Sequence, residues 1–588
     1  MRKHLLWSIL TCGAVALGWH PMALAAEIRV DSTDVVVRSD KHCSLSEAIL
    51  AANTDAAVDT CTAGSGDDVI ELDANAIYTI TAPHQTTDTG LPPITSSLTI
   101  HGDHTLIVRS SQIEFRIAKI SGAVKVLFDG LLLQGGRLSR GGAEGGILRI
   151  DGDAQVTIRQ TKLFHGTAGI GGALYASGAQ TEVRLENSGI ASSSATVDGG
   201  GIASSAKLLH IEHSDIETNK ASQSGGGIWF SRQDGTLEIE DARIANNKAV
   251  QGGGLYVDNG AALSMKAISI VENTATSATQ GGGGLFLAGL RVAEIVNTTF
   301  ASNVALSDGS AIFLAGHTKV TLGHCALVKN RGGSAQALQL GSDMGGKFTA
   351  VGSIFYLNGS LNLKTADPCS AVTSKGWNIV ETTCRVKQET PDNVDIVTDQ
   401  PKLSDLVTAQ DGMHTYTILM TGSPGINNGD AASCSSTPAL QNDQLGHARD
   451  DLCDIGPVEA GCGDTVIQSE LGETCDGLHV AAGETCGATC QTVVTGATPE
   501  DETGDGLDTV ETGENSGEAN AMQPDATQPP AEMLPEGGID TGVEETPAPF
   551  ATATIEEEGT APALGEGENA EAPPAPNASG GGCTLRSL

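Results

Sequence analysis

Between residues 126 and 358 apolar side chains recur on a period too long for a helix and too regular for unrelated strands. A column of corner positions, Gly136, Gly166, Ser193, Asn219, Asn247, Asn273, Asn303, Asn330 and Asn358, advances in steps of 30, 27, 26, 28, 26, 30, 27 and 28 residues. Three residues before each corner sits an apolar side chain: Leu133, Leu163, Ile190, Ile216, Ile244, Ile270, Phe300, Leu327 and Phe355. Eight before it come Phe128, Ile158, Leu185, Ile211, Ile239, Met265, Ile295 and Leu322, and ten before it Val126, Val156, Val183, Leu209, Leu237, Leu263 and Val320. Positions ten and eight alternate as strand residues do, and a turn then resets the phase before the third. A unit of about 28 residues built this way cannot bury its apolar side alone, so it must stack on copies of itself. Parallel stacking at about 4.8 Å per coil pairs each strand with its own counterpart and predicts an all-β chain, a parallel β-helix solenoid. Nine coils are visible in the column of corners.

A second repeated word punctuates the first. "GGGLYVDNG" at Gly252 returns as "GGALYASG" at Gly171, "GGGIASS" at Gly199, "GGGIWFS" at Gly225 and "GGGGLFLAG" at Gly281. Glycines so placed predict a tight corner before a strand, where positive φ or close coil approach excludes side chains. No Lys-Ser/Thr ending or following helix accompanies any copy, which argues against a phosphate cradle. The corner Asn column, Asn219, Asn247, Asn273, Asn303, Asn330 and Asn358, is predicted to hydrogen-bond neighbouring coils and to take left-handed dihedrals. After each glycine word's aliphatic residue comes Tyr175, Ala203, Trp229, Tyr256, Phe286 or Phe313. Alternation turns Leu255 and Val257 inward and the ring between them outward, which predicts an aromatic stripe on one outer sheet. Exposed aligned rings would stack on sugars or anchor a partner. A self-stabilising ladder, or a stripe covered by the loop between coils, is the structural alternative.

Three stretches resemble known families. The pairing of "GGAL" at Gly171 with "FASN" at Phe300 resembles the repeats of chlamydial polymorphic outer membrane proteins and related adhesins, with most copies here relaxed to GGG and IxxN. "CSLSEAILAAN" from Cys43 looks like the CSLREA motif that opens a family of exported bacterial β-helix proteins, Ser46 standing where that motif has Arg. "DQLGHARDDLCDIGPVEA" from Asp443 is similar to the end of the same family's β-helix domain, so the resemblance spans residues 27 to 460. It implies a right-handed helix, in line with the usual crossover rule, and little established chemistry. Physically, "LSEAILAAN" reads as a short amphipathic capping helix with Ser44 or Ser46 as N-cap and Leu45, Ala48, Ile49 and Ala52 on one face. "GCGDTVIQSELGETCDG", continuing to Cys490, resembles the cysteine-rich repeat of myxobacterial surface proteins and implies a small disulfide-rich module.

Composition narrows the function classes. A net charge of −39, from 33 basic and 72 acidic residues, repels phosphate backbones and anionic lipids, so nucleic acid is not an expected partner. Met1 to Ala25 reads as a secretory leader: basic Arg2, Lys3 and His4, an apolar run from Leu5 to Trp19, and the cleavage pattern Ala23-Leu24-Ala25. No later run is apolar and long enough to span a bilayer, so an extracellular or cell-surface location is expected. Export makes disulfides plausible. Proximity suggests Cys43 with Cys61, Cys369 with Cys384 and Cys434 with Cys453, plus two bridges among Cys462, Cys475, Cys486 and Cys490. The chain thus divides into a leader (1–25), a cap with first coils (26–120), regular coils (121–360), irregular coils with a second cap (361–457), the cysteine-rich module (458–493) and a tail (494–588). The tail is acidic and rich in Pro, Gly and Ala, with Arg586 its one basic residue, and is expected to be disordered. Its Gly-Gly-Cys ending at Cys583 resembles the start of a sorting signal that lacks the apolar helix and basic tail which should follow.

No catalytic constellation stands out. Asn53-Thr54-Asp55 and Asp67-Asp68 match fragments of the polygalacturonase set, but they fall in the cap, and that family's Gly-His-Gly and Arg-Ile-Lys are missing. Asp215, Asp234, Asp241 and Arg243 read as scattered solvated charges without matching columns. His165, His210, His213, His317 and His324 share no metal-ligand spacing, so no metal site is expected. Calcium is the one weak cofactor candidate, at the carboxylates of the cysteine-rich module, which lack EF-hand spacing. Cys325 falls in a column of small residues and reads as a buried hydrophobe. The expectation is an exported protein that binds a polysaccharide or surface partner through Tyr175, Trp229, Tyr256, Phe286 and Phe313. A polysaccharide lyase or hydrolase is the second reading, and a structural spacer the third.

Overall fold

The computed structural model describes residues 25–333, 337–340, 346–360, 369–389, 394–409, 412–449 and 452–460, together with the strand pair Glu484–Cys486 and Thr492–Val494. The leader, the tail with Cys583, and the side chains of Cys462, Cys475, Cys486 and Cys490 lie outside the described residues.

The chain is a right-handed parallel β-helix. A regular coil carries four short strands, as in Ile202–Ser205, Leu208–Glu212, Asp215–Glu217 and Lys220–Ala221, or three where the middle two run together, as in Thr236–Ala245. Each strand pairs in parallel with its counterpart one coil away, for instance Leu163↔Ile190↔Ile216 and Leu174↔Ile202↔Ile228. The apolar columns predicted the two middle strands and the glycine word the one before them; the short legs such as Lys220–Ala221 hold too few residues to show alternation. Further strands extend the stack before the visible coils (Glu27–Arg29, Asp68–Glu71, Leu98–Arg109) and after them (Val372–Ser374, Ile379–Val380, Lys387–Gln388, Ile396–Val397). The three apolar columns read from the sequence all point inward and form one continuous buried core.

The corners differ from expectation in one respect. The Asn column is not left-handed; the residue before each Asn is, as at Thr218 (φ 54°), Asn246 (φ 56°), Glu272 (φ 57°) and Ser302 (φ 55°). A second left-handed residue falls six before each corner, at His213, Asp241, Ala267, Asn297 and His324. This is the turn that resets the strand phase. Such residues cost roughly 1–2 kcal/mol each, and the Asn side chains stabilise the corner that imposes them. Asn247 Oδ1 accepts from the Asn219 backbone N–H at 2.9 Å while its Nδ2 donates to Ile216 O at 2.8 Å, and the pattern repeats through Asn273, Asn303 and Asn330 to Asn358. Each amide thereby ties three coils together.

Each glycine of the repeated word answers a different demand. Gly252 has φ 61°, a Cβ on Gly253 would sit 2.5 Å from Gly283 O, and one on Gly254 would meet Gly284 O at 2.8 Å and the Asn273 amide at 3.1 Å. A side chain is excluded first by dihedral and then by neighbouring backbone.

A helix closes the first end of the stack. Helix α1 (Leu45–Thr54) is N-capped by Ser44, whose hydroxyl accepts from Glu47 N while the Glu47 carboxylate accepts from Ser44 N in a full capping box. Ser46 is instead a buried helix residue donating to Val35 O. Leu45, Ala48, Ile49 and Ala52 are buried against the first coils, and Cys43–Cys61 closes the loop around the helix. Asn53 and Asp68, the fragments that mimic a catalytic set, hold this cap together: Asn53 binds Pro93 O and Thr95 N, and Asp68 accepts from Ser65 N and Ala26 N. Cys369–Cys384 and Cys434–Cys453 are also paired.

At the other end the chain folds back over the outside of the stack. Thr415 and Gln444 both bind Ser269, and Gln444 also accepts from Thr299 Oγ1. Arg449, with its side chain fully buried, pairs with Glu459 and donates to Asn297 Oδ1 and Gly456 O. Outward-facing Ala245, Val271, Ala301 and Val328 are therefore buried in a second apolar cluster with Leu419 and Ile455. The returning segment covers the later coils of this face and leaves the earlier ones open.

Candidate functional site

Two outer surfaces carry side chains that a ligand would meet. The first is the sheet of the glycine word, where the register runs Arg149↔Tyr175↔Ala203↔Trp229↔Tyr256↔Phe286↔Phe313. Period-2 alternation sends Leu255 and Val257 into the core and the column between them outward. Tyr256, Phe286 and Phe313 stack face to face, with centroids 4.9 and 5.1 Å apart and planes 8° from parallel. Phe286 and Phe313 are each only 3% exposed, so these two rings form a covered ladder and correct the expectation of an accessible stripe along the whole column. Stacking hides both faces of Phe286.

Tyr175, Trp229 and Tyr256 remain half-buried, unlike Phe286 and Phe313. Ala203, fully buried, lies covered between Tyr175 and Trp229. Polar groups border the line. The Arg149 guanidinium lies 6.0 Å from the Tyr175 ring and pairs with Glu144 and Asp151 at 3.0 and 2.8 Å. Burial, then Asp258 and Asp198, pushes the Tyr256 phenol up to about 12, and burial first also raises both carboxyls. Ser177, Ser205 and Ser231 follow the ring column two residues on.

The second surface is a groove of about 640 Å³ on the face of Lys162–Phe164, Gly189–Ala191 and Asp215–Glu217. Sequence reading missed it, because it judged Asp215, Asp241 and Arg243 to share no column. In the structure Lys162↔Gly189↔Asp215↔Arg243↔Ser269 is one register line, and Phe164↔Ala191↔Glu217↔Ala245 is the next. Unlike residue types in successive coils hid the column. Arg243 Nη1 donates to Asp215 Oδ2 and Glu217 Oε2, both at 3.0 Å, and burial pushes Asp215 up to about 6 against the pull of that guanidinium. His213 and His414 both pair with Asp241 at the groove's edge. Asp234 and His317 are not among the groove's lining residues.

Remaining candidates have structural roles. His210 lies between Glu212 and Glu238. Cys325 is fully buried, burial pushes its thiol up to about 12, and the thiol donates to Ile295 O at 3.4 Å. Its column is a hydroxyl ladder in which Thr161 N donates to Ser188 Oγ and Ser188 N to Ser214 Oγ. His324, held neutral by burial at about 3, sits 3.5 Å from Cys434 Sγ, but that sulfur and Cys453's are joined in a disulfide. No helix among the described residues is long and apolar enough to cross a membrane.

A family model described as the right-handed β-helix region matches residues 140–300, the coils that carry the groove and the aromatic line from Tyr175 to Phe286. No curated protein matches the chain.

Proposed function

We propose that this right-handed β-helix protein is exported to the cell surface and binds a neutral polysaccharide along its aromatic face. One observation carries the reading: Tyr175 and Trp229 face outward on one register line, two coils apart, with only the small Ala203 between them. Two coils separate these rings by roughly 10 Å, which suits stacking on alternate sugars of an extended 1,4-linked chain. Asp198, Asp258 and the serines beside the line supply acceptors for sugar hydroxyls. The net charge of −39 disfavours an acidic glycan. Export rests on the leader-like start at Met1–Ala25.

The test is retention of the chain on cellulose, chitin, xylan, mannan and fixed cells, beside Trp229→Ser/Tyr256→Ser, with released sugar assayed in parallel. Saturable retention without release, lost in the double variant, supports the proposal. Sugar release by the purified chain would make it an enzyme, and absence of both retention and release would leave a spacer.

A further inference from the structure

The groove on the opposite register line has a shape that its charges alone do not explain. Its floor is a single coil stripped of outward side chains, with Gly189 and Ala191 at the two outward positions of their strand. The coil before supplies Lys162 and Phe164 as one wall, and the coil after supplies Asp215 and Glu217 as the other. Gly412 and Met413, from the segment that folds back over the later coils, close the end. Walls two coils apart stand roughly 10 Å from backbone to backbone, which leaves space for one flat ring between the side chains.

From this geometry we propose that the groove is a second saccharide site, taking a single neutral sugar ring edgewise between Phe164 and the Asp215–Glu217 pair. The inference rests on the glycan-binding reading for its ligand class only, since it uses none of the aromatic-face residues. Phe164, half-buried and edge-on to His165 at 5.3 Å between centroids, offers the apolar contact. Asp215 and Glu217 are fixed by one shared guanidinium, so their remaining lone pairs are held in place to accept sugar hydroxyls. Lys162 Cγ lies 3.6 Å from where a Gly189 Cβ would be, which lays its stem along the floor, and its charge acts on Asp215 across the groove. Arg243, with a side chain 17% exposed, braces the acids from behind and is a positioning residue. A ligand here differs from one on the aromatic face: it is one ring across the coils instead of a chain along them.

The fold provides clean variants. Gly189 is in ordinary strand conformation and a Cβ there meets only van der Waals contacts, and Ala191 points away from the core, so Gly189→Gln and Ala191→Phe fill the groove without touching the stack. The experiment is saturation-transfer NMR of glucose, galactose, mannose, N-acetylglucosamine and their disaccharides with the full chain carrying Trp229→Ser/Tyr256→Ser. A signal in that background that the groove-filling variants weaken comes from the groove and not from the Tyr175 left on the aromatic face. The expected result is a saturable signal from at least one sugar, weakened about tenfold or more by Ala191→Phe and by Gly189→Gln at unchanged thermal midpoint. Asp215→Asn/Glu217→Gln, which keeps the shape, is expected to weaken it as well. No signal from any sugar in this background, or a signal indifferent to both filling variants, overturns the second site while leaving the aromatic face to its own retention test.

Discussion

Replacing Asn273 with alanine tests the corner ladder that ties the coils together. Asn273 is fully buried; its Oδ1 accepts from Asn247 N at 3.0 Å and Asn247 Nδ2 at 3.1 Å, and its Nδ2 donates to Ile244 O at 2.8 Å and Asn303 Oδ1 at 3.1 Å. Alanine removes all four bonds and takes this partner from the Asn247 N–H and the Ile244 carbonyl, both inside a fully buried corner. Each buried backbone group so orphaned costs about 1–3 kcal/mol, so the variant should lose roughly 2–6 kcal/mol. Asn273→Asp separates hydrogen bonding from volume. It keeps the shape and the acceptor but turns a carboxylate toward Ile244 O and Asn303 Oδ1, so it should be at least as damaging. Lys248→Ala, exposed beside the same corner, should stay within about 0.5 kcal/mol of the parent. Urea unfolding of the full chain followed by circular dichroism reads the midpoints, with unchanged slope as the condition for comparing them. A loss below about 1 kcal/mol for Asn273→Ala, or an Asn273→Asp variant as stable as the parent, would refute the ladder's energetic role.

Other consequences follow from individual groups. Asp215 is raised from 3.8 to about 6, so the native state holds its proton more tightly than the unfolded chain. Burial therefore costs stability above pH 6, up to about 3 kcal/mol, and the cost is relieved as pH falls from 6 towards 3.8. Stability of the parent should gain on that of Asp215→Asn between pH 7 and 4, and parallel curves would contradict this. Glu459→Gln leaves the fully buried Arg449 charge without its carboxylate and should cost about 3–5 kcal/mol in the same urea assay; a change under about 1 kcal/mol would sink the argument. Cys325 should resist iodoacetamide in the native protein and react only after denaturation, with peptide mapping to separate it from other thiols; native labelling would show that its burial is wrong. Gly253→Ala should destabilise more than Gly189→Ala, since a Cβ at 253 meets Gly283 O at 2.5 Å and one at 189 meets nothing closer than 3.6 Å.

Much of this architecture was legible because its physics is periodic. Leu163, Ile190 and Ile216 repeat as one inward type, and the Asn corners repeat as one residue, so both columns read directly as stacked rungs. The α1 cap was equally readable, and Ser44 rather than Ser46 proved to be its N-cap because Glu47 lies three residues after Ser44 and completes the box. What escaped has a common cause. Left-handed corners fall on Thr218, Asn246, Glu272 and Ser302, whose identities share nothing, because the Asn ladder next door stabilises the turn whatever occupies it. The groove escaped for the same reason: Lys162, Gly189, Asp215 and Arg243 form a column by position and not by type. The aromatic column was visible, but the covering of Phe286 and Phe313 depends on stacking distances and neighbouring chain that alternation does not encode.

The most direct test of the binding proposal uses Trp229 as its own reporter. Beyond Trp7 and Trp19 in the leader, the chain holds only Trp229 and Trp377, so the leaderless chain with Trp377→Phe fluoresces from the proposed face alone. Soluble 1,4-linked oligosaccharides of glucose, xylose, mannose and N-acetylglucosamine are titrated against it. The account predicts a saturable change in Trp229 emission with at least one of them, abolished by Tyr175→Ser together with Tyr256→Ser. Emission unchanged by every oligosaccharide, under conditions where the chain is retained on the matching insoluble polymer, would place the binding surface elsewhere and contradict the account.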